Sequence, residues 1–191
     1  MKQYLFFALN LLLALEGTSQ AKGDYMWQIK QNSHPQENPY ALSMVLDFNV
    51  LGINLDTFYR GMKMGYFNAS ISDVDGKLLV YSNGCQIKNG DHSNIPETMS
   101  LSPGETDFEW CLSNPSSGYP KFEGGLFISF FSDSIILLLH QRDYVLSNPT
   151  RIITDSLFYS SVQRDGDQYV LHEKTVPIVG DNLTDGNVEA V

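Results

Sequence analysis

Acidic side chains dominate the chemistry open to this chain. Twenty-two Asp and Glu outnumber twelve Lys and Arg, giving a formal charge of −10, with four His and two Cys in 191 residues. Five carboxylates (Glu97, Glu105, Asp107, Glu109 and Glu123) share the polar stretch 91–123 with Trp110 and Tyr119. Two carboxyls ~5–10 Å apart suffice for glycoside hydrolysis, and aromatic rings can stack on sugars. The sequence does not set that separation, and a solvated acidic loop has the same composition. His140 closes an apolar run, where a lone histidine is a ligand, a general base or a hydrogen-bonded structural residue. His172-Glu173 lacks the second histidine of a zinc-protease helix, and His34 and His92 stand in loops without a pattern. Asp73-Val74-Asp75-Gly76 starts like a calcium loop, but its position twelve is Gly84 rather than glutamate. It also fails the sialidase-type Asp-box, whose Asp and Trp positions hold Val74 and Leu79. There is no nucleophile elbow, phosphate-cradling loop or dinucleotide fingerprint. The expectation is no catalytic, cofactor-binding or metal-binding set. The acidity also excludes nucleic acid, which needs a clustered basic footprint.

The two cysteines, Cys85 and Cys111, lie beyond what reads as an export signal. Lys2 precedes an apolar run from Leu5 to Leu15 broken by Asn10, and Ser19 and Ala21 suit a cut after Ala21. As a helix that run spans ~16 Å, about half of a ~30 Å bilayer core, which disfavours an uncut anchor. Residues 1–21 are thus expected to leave, with no integral membrane segment after their removal. In an oxidising compartment Cys85 and Cys111 could close a disulfide; two buried thiols are the alternative, since sequence gives no distance.

The remaining elements must position these groups, and they read as strands. With 42% apolar and 12% aromatic residues, the chain is neither a disordered tail nor a membrane bundle. Ser43–Val50 and the alternating Ile53–Arg60 read as strands. Ala69–Asp73 and Lys77–Tyr81 flank Asp75-Gly76, a pair suited to a two-residue hairpin turn. Cys85–Lys88 ends at a second turn pair, Asn89-Gly90. Leu126–Phe131 and Ser134–His140 flank Ser132-Asp133, and the continuous run Ile135–Leu139 suggests a strand covered on both faces. Leu157–Val162 and Gln168–Lys174 join across Asp165-Gly166. Hairpin-linked strands at this spacing predict an all-β protein of antiparallel meanders. The last residues, Val188–Val191, start what looks like another strand, so a C-terminally truncated piece is expected.

The stretch Asn68–Gly84, NASISDVDGKLLVYSNG, resembles the first hairpin of a large group of secreted β-propeller proteins from Bacteroidota, which read roughly NASISDxxGNLLFYTNG. Many of that group carry a sorting signal for the type IX secretion system. Val45–Asn49, Leu137–His140 and Leu157–Ser160 are similar to further strands of the group. Lys77, Val80 and Ser82 depart from its usual Asn, Phe and Thr, and 91–123 matches poorly. Beyond the expected signal peptide at 1–21 and an N-terminal extension at 22–42, the resemblance implies one to three blades of an incomplete β-propeller over 43–191. It further implies an exported, non-enzymatic binding or scaffold module at the cell surface, its partner a surface protein or a glycan. Two other classes remain open: a carbohydrate-active hydrolase on a propeller scaffold, and the periplasmic sensor domain of a membrane kinase.

Overall fold

The computed structural model describes residues 26–29, 43–48, 53–58, 62, 64, 67–113, 118–120, 125–147 and 150–179. The expected signal peptide, His34, Glu123 and the expected strand start at Val188–Val191 lie outside these residues. The all-β, antiparallel expectation holds. The described residues form ten strands in three sheets, and every pairing is antiparallel.

The first sheet runs β1 (Met26–Ile29), β2 (Ser43–Asp47), β3 (Asn54–Phe58). Strand β1 falls inside the stretch read from sequence as an extension and pairs with β2. The second sheet runs β4 (Ala69–Ser72), β5 (Leu78–Ser82), β6 (Ile87–Asn89). The third is a four-stranded meander of β7 (Gly125–Phe130), β8 (Ile135–Ser147), β9 (Thr150–Asp165) and β10 (Gln168–Val179).

Strands β8 and β9 run far past the apolar segments that announce them. Polar residues interrupt the sequence pattern at Gln141–Asp143, yet the ladder continues through them to Ser147↔Thr150, with a register shift at Arg142/Asp143. Nor is Ile135–Leu139 covered on both faces. Ile136 and Leu138 are fully buried, while Ile135, Leu137 and Leu139 are only partly buried. Long aliphatic side chains on the outer face give a continuous apolar run without two-sided burial. At the sheet's edge, β10 is blunted against further pairing by register shifts, by Pro177 and by Thr175 at φ 54.

The core lies between the second and third sheets. Val80 and Ile87 pack with Ile136, Leu138 and Val162, closed off by Phe67, Leu101 and Tyr119. Among the described residues of 91–123 is a short helical segment that the sequence reading missed: α1 (Glu105–Asp107), continuing as a π-turn over Phe108–Leu112. Eight residues after Pro103-Gly104 are too few to show helical periodicity. The segment is held instead by a disulfide between Cys85 and Cys111, both fully buried, with Cα atoms 5.2 Å apart.

Candidate functional site

The turns singled out in the sequence meet at one end of the two packed sheets. Each forms differently from expectation. Between β4 and β5 the loop has three residues, Val74–Gly76, not two. Asp73 organises it: its Oδ1 accepts the N–H groups of Asp75 (3.0 Å) and Lys77 (2.9 Å). Its carbonyl accepts Gly76 N–H at 2.9 Å, and its N–H donates to Lys77 O at 2.9 Å. Only Gly76, at φ 84, takes the left-handed conformation, so Asp75 supplies no positive φ.

After β6 the left-handed residue is His92, at φ 72, rather than Gly90. Gly90 serves close approach: its N–H donates to Leu79 O at 2.7 Å, and a Cβ there would lie 2.0 Å from Leu78 O. The Asp91 carboxylate caps this turn, accepting Ser93 N–H (3.0 Å) and Ser93 Oγ–H (2.6 Å). Those bonds hold its carboxyl below the usual range. Between β9 and β10 the two-residue loop is Gly166-Asp167, because Asp165 pairs with Gln168. Gly166, at φ 62, takes the first loop position, where a type II′ turn needs glycine. The β7–β8 loop carries three successive left-handed residues, Phe131, Ser132 and Asp133. It is clamped by Tyr169 Oη–H to Asp133 O at 2.7 Å and Arg164 N–H to Ser134 O at 2.9 Å.

Side chains of the β6 turn tie it to the β9–β10 hairpin. Asn89 Oδ1 accepts Tyr169 N–H at 2.8 Å, and Gln168 Nε2 donates to Asp91 Oδ2 at 3.1 Å. Arg164 lies over the Tyr169 ring, 5.4 Å from its centroid, and donates to its hydroxyl at 2.9 Å. The turns enclose a cleft of about 380 Å³, whose polar wall includes Asp73, Lys77, Asn89, Asp91, Arg164 and Asp167. A second hollow of about 440 Å³, lined by Asp47, Asp75 and Gly76, shares Lys77, Leu78, Gly90 and Asp91 with the first. Sequence reading found the turn residues but not Lys77, Asp91, Arg164 or Tyr169. Their signal is only in the strand pairing that brings distant turns together.

The other sequence candidates separate. Of the loop carboxylates, Glu97, Glu105 and Glu109 face solvent, whereas Asp107 turns inward. Ser100 donates its hydroxyl to Asp107 Oδ2 at 2.5 Å, and burial pushes the Asp107 carboxyl upward. His140 is fully buried between two serines, Ser102 Oγ on Nδ1 and Ser160 Oγ on Nε2, each at 2.9 Å. Burial lowers its pKa to about 3, so it is a neutral structural residue out of reach of any substrate. Beside it Tyr119 accepts Asp143 N–H at 2.8 Å, and Asp143 Oδ1 accepts Thr154 Oγ–H at 2.6 Å. Burial, then the neighbouring Asp143, raises the Tyr119 phenol far above its ordinary value. Arg142 and Asp155 form a bidentate pair, both contacts at 2.8 Å.

Among the described residues, no group of three or more His, Cys, Asp or Glu side chains is placed to hold a metal ion. No helix among them is long and apolar enough to cross a membrane. Comparison with protein-family models, with curated proteins and with solved structures finds no match.

Proposed function

We propose that the chain is an exported, non-enzymatic binding or scaffold module of β-propeller type, displayed at the cell surface and binding through the rim of converging turns. One observation carries the reading: separate turns, fixed by their own hydrogen bonds and to one another, enclose a pre-formed polar cleft. Turns held by a rigid sheet scaffold present binding groups at little ordering cost. The consecutive, antiparallel order of the four-stranded third sheet is compatible with a propeller blade, and with the resemblance of Asn68–Gly84 it supports the propeller part of the reading. The apolar run Leu5–Leu15 ahead of Ala21 supports export.

The test has two parts. Expression with the native leader in a bacterial host, followed by intact mass measurement, should give an exported chain that starts at Lys22. Purified chain should then decorate cells of the producing organism, and Lys77→Ala with Asp167→Ala should abolish the decoration. Retention of residues 1–21 in the cytoplasm would overturn export. Decoration indifferent to both substitutions would overturn the rim as the binding face.

A further inference from the structure

Resting on that reading, we infer that the rim cleft binds a neutral, hydroxyl-rich oligosaccharide, seated along the groove formed by the two hollows that share Lys77, Leu78, Gly90 and Asp91. The walls carry a mixture of hydrogen-bonding groups. Carboxylates from Asp47, Asp73, Asp75, Asp91 and Asp167 accept hydrogen bonds, while Lys77 and Arg164 donate them. An anionic ligand meets more carboxylates than cations. A cationic ligand would meet the carboxylate excess but leave Lys77 and Arg164 without acceptors beside a like charge, and an apolar ligand would desolvate charged groups without replacing their partners. A sugar hydroxyl both donates and accepts, so successive hydroxyls satisfy both kinds of group without bringing net charge.

Position and availability point the same way. The bonds that shape the β4–β5 turn use one Asp73 carboxylate oxygen and backbone groups, and take up neither the Lys77 ammonium nor the Asp167 carboxylate. Both side chains are exposed at the cleft. Asn89 and Asp91 are already oriented, by Tyr169 N–H and by Ser93 and Gln168 respectively. Oriented acceptors beside uncommitted charged groups make a site that needs little rearrangement. Two adjoining hollows suit a chain of several rings better than one ring.

The experiment is calorimetric titration of the exported chain with neutral gluco-, manno-, galacto- and xylo-oligosaccharides of four to six rings. An oligogalacturonate and a Lys-rich peptide serve as charged probes. The expected result is saturable binding of at least one neutral series, changing little between ~0.05 and ~0.5 M salt. Lys77→Ala and Asp167→Ala should each weaken it about tenfold, the loss of one charge-assisted hydrogen bond. Binding of a charged probe alone, with steep salt dependence, overturns the ligand class. So does an absence of neutral binding while cell decoration still depends on Lys77; in that case the rim reading stands and only the sugar falls. Neutral binding that ignores both substitutions overturns the location.

Discussion

Two polar regions of this molecule sit within one fold and behave in opposite ways. At the rim, Asp73, Lys77, Asp91, Arg164 and Asp167 line an open cleft, and part of their hydrogen-bonding capacity faces outward. Inside, on the β8–β9 hairpin, His140, Asp143 and Thr154 are bonded to other protein groups and shut away from water. The lesson is that a concentration of titratable residues does not by itself mark a site. The interior cluster has the more perturbed groups, in His140, Asp107 and Tyr119, yet they are tied up in holding the fold. The rim has the exposed charged groups and the space. Substitutions in the two regions should therefore separate stability from binding.

The largest effect should come from the disulfide, which ties the π-turn to the β5–β6 connection on the interior side. It bridges cysteines 26 residues apart, worth about 3–4 kcal/mol in the chain-entropy description. Paired Cys85→Ser and Cys111→Ser substitution, or reduction, should lower the urea midpoint accordingly while rim binding persists wherever the chain stays folded. Binding lost in step with the bridge, at temperatures where circular dichroism still shows native strands, would mean that the two regions are not independent.

Next comes the pH dependence that His140 imposes. Its folded pKa of about 3 lies below the ordinary 6.5, so on acidification the unfolded chain takes up a proton that the folded chain refuses. Stability is present in full above 6.5 and is lost as pH falls toward 3. Between pH 7.5 and 5 the loss should be about 2 kcal/mol, and His140→Gln should flatten it. Asp107 acts in the other sense. Its raised pKa means that the folded chain holds a proton more tightly, so its contribution weakens as pH rises through that value. Urea titrations of wild type and His140→Gln across this window isolate the histidine; equal slopes would refute the assignment.

The contrast also explains what the sequence disclosed. The strands and their antiparallel order were legible because apolar residues recur between turn-forming residues, as in Leu78–Val80 after Asp75-Gly76 and Ile135–Leu139 after Ser132-Asp133. Turn positions were legible, but not the geometry within them, because Asp-Gly and Asn-Gly do not say which residue carries the positive φ. At Gly90 the constraint is a carbonyl of a neighbouring strand, and the left-handed residue is His92. The far halves of β8 and β9 were hidden by Gln141–Asp143, polar residues that bond across the hairpin, buried Gln141 and Asp143 to Thr154 and the partly exposed Arg142 to Asp155. The cleft was hidden for a further reason. It joins Asn89 to Tyr169 and Asp91 to Gln168, contacts 80 and 77 residues apart in sequence that no local pattern encodes.

A smaller effect is expected at Gly166, which has open space around its Cβ position but a φ of 62. Gly166→Ala should cost about 1 kcal/mol of stability, the strain of an L-residue in a left-handed conformation, with no steric component. A thermal melt that leaves the midpoint unchanged would show that the loop can shift to another turn type.

The smallest stability effect should accompany the largest effect on binding. Lys77 and Asp167 are exposed, and neither side chain enters the bonds that hold its turn, so alanine at either position should change unfolding free energy by no more than about 0.5 kcal/mol. Asp91→Ala is the informative neighbour. It removes the acceptor for Ser93 N–H, Ser93 Oγ–H and Gln168 Nε2 together, so it should cost about 1–2 kcal/mol and weaken binding as well. If Lys77→Ala and Asp167→Ala proved as destabilising as Asp91→Ala in the same urea series, the rim's charged groups would be structural like those inside, and the division between the two regions would collapse. If they leave the urea midpoint alone and still weaken binding about tenfold each, these two side chains belong to the recognition surface while the turns beneath them belong to the scaffold.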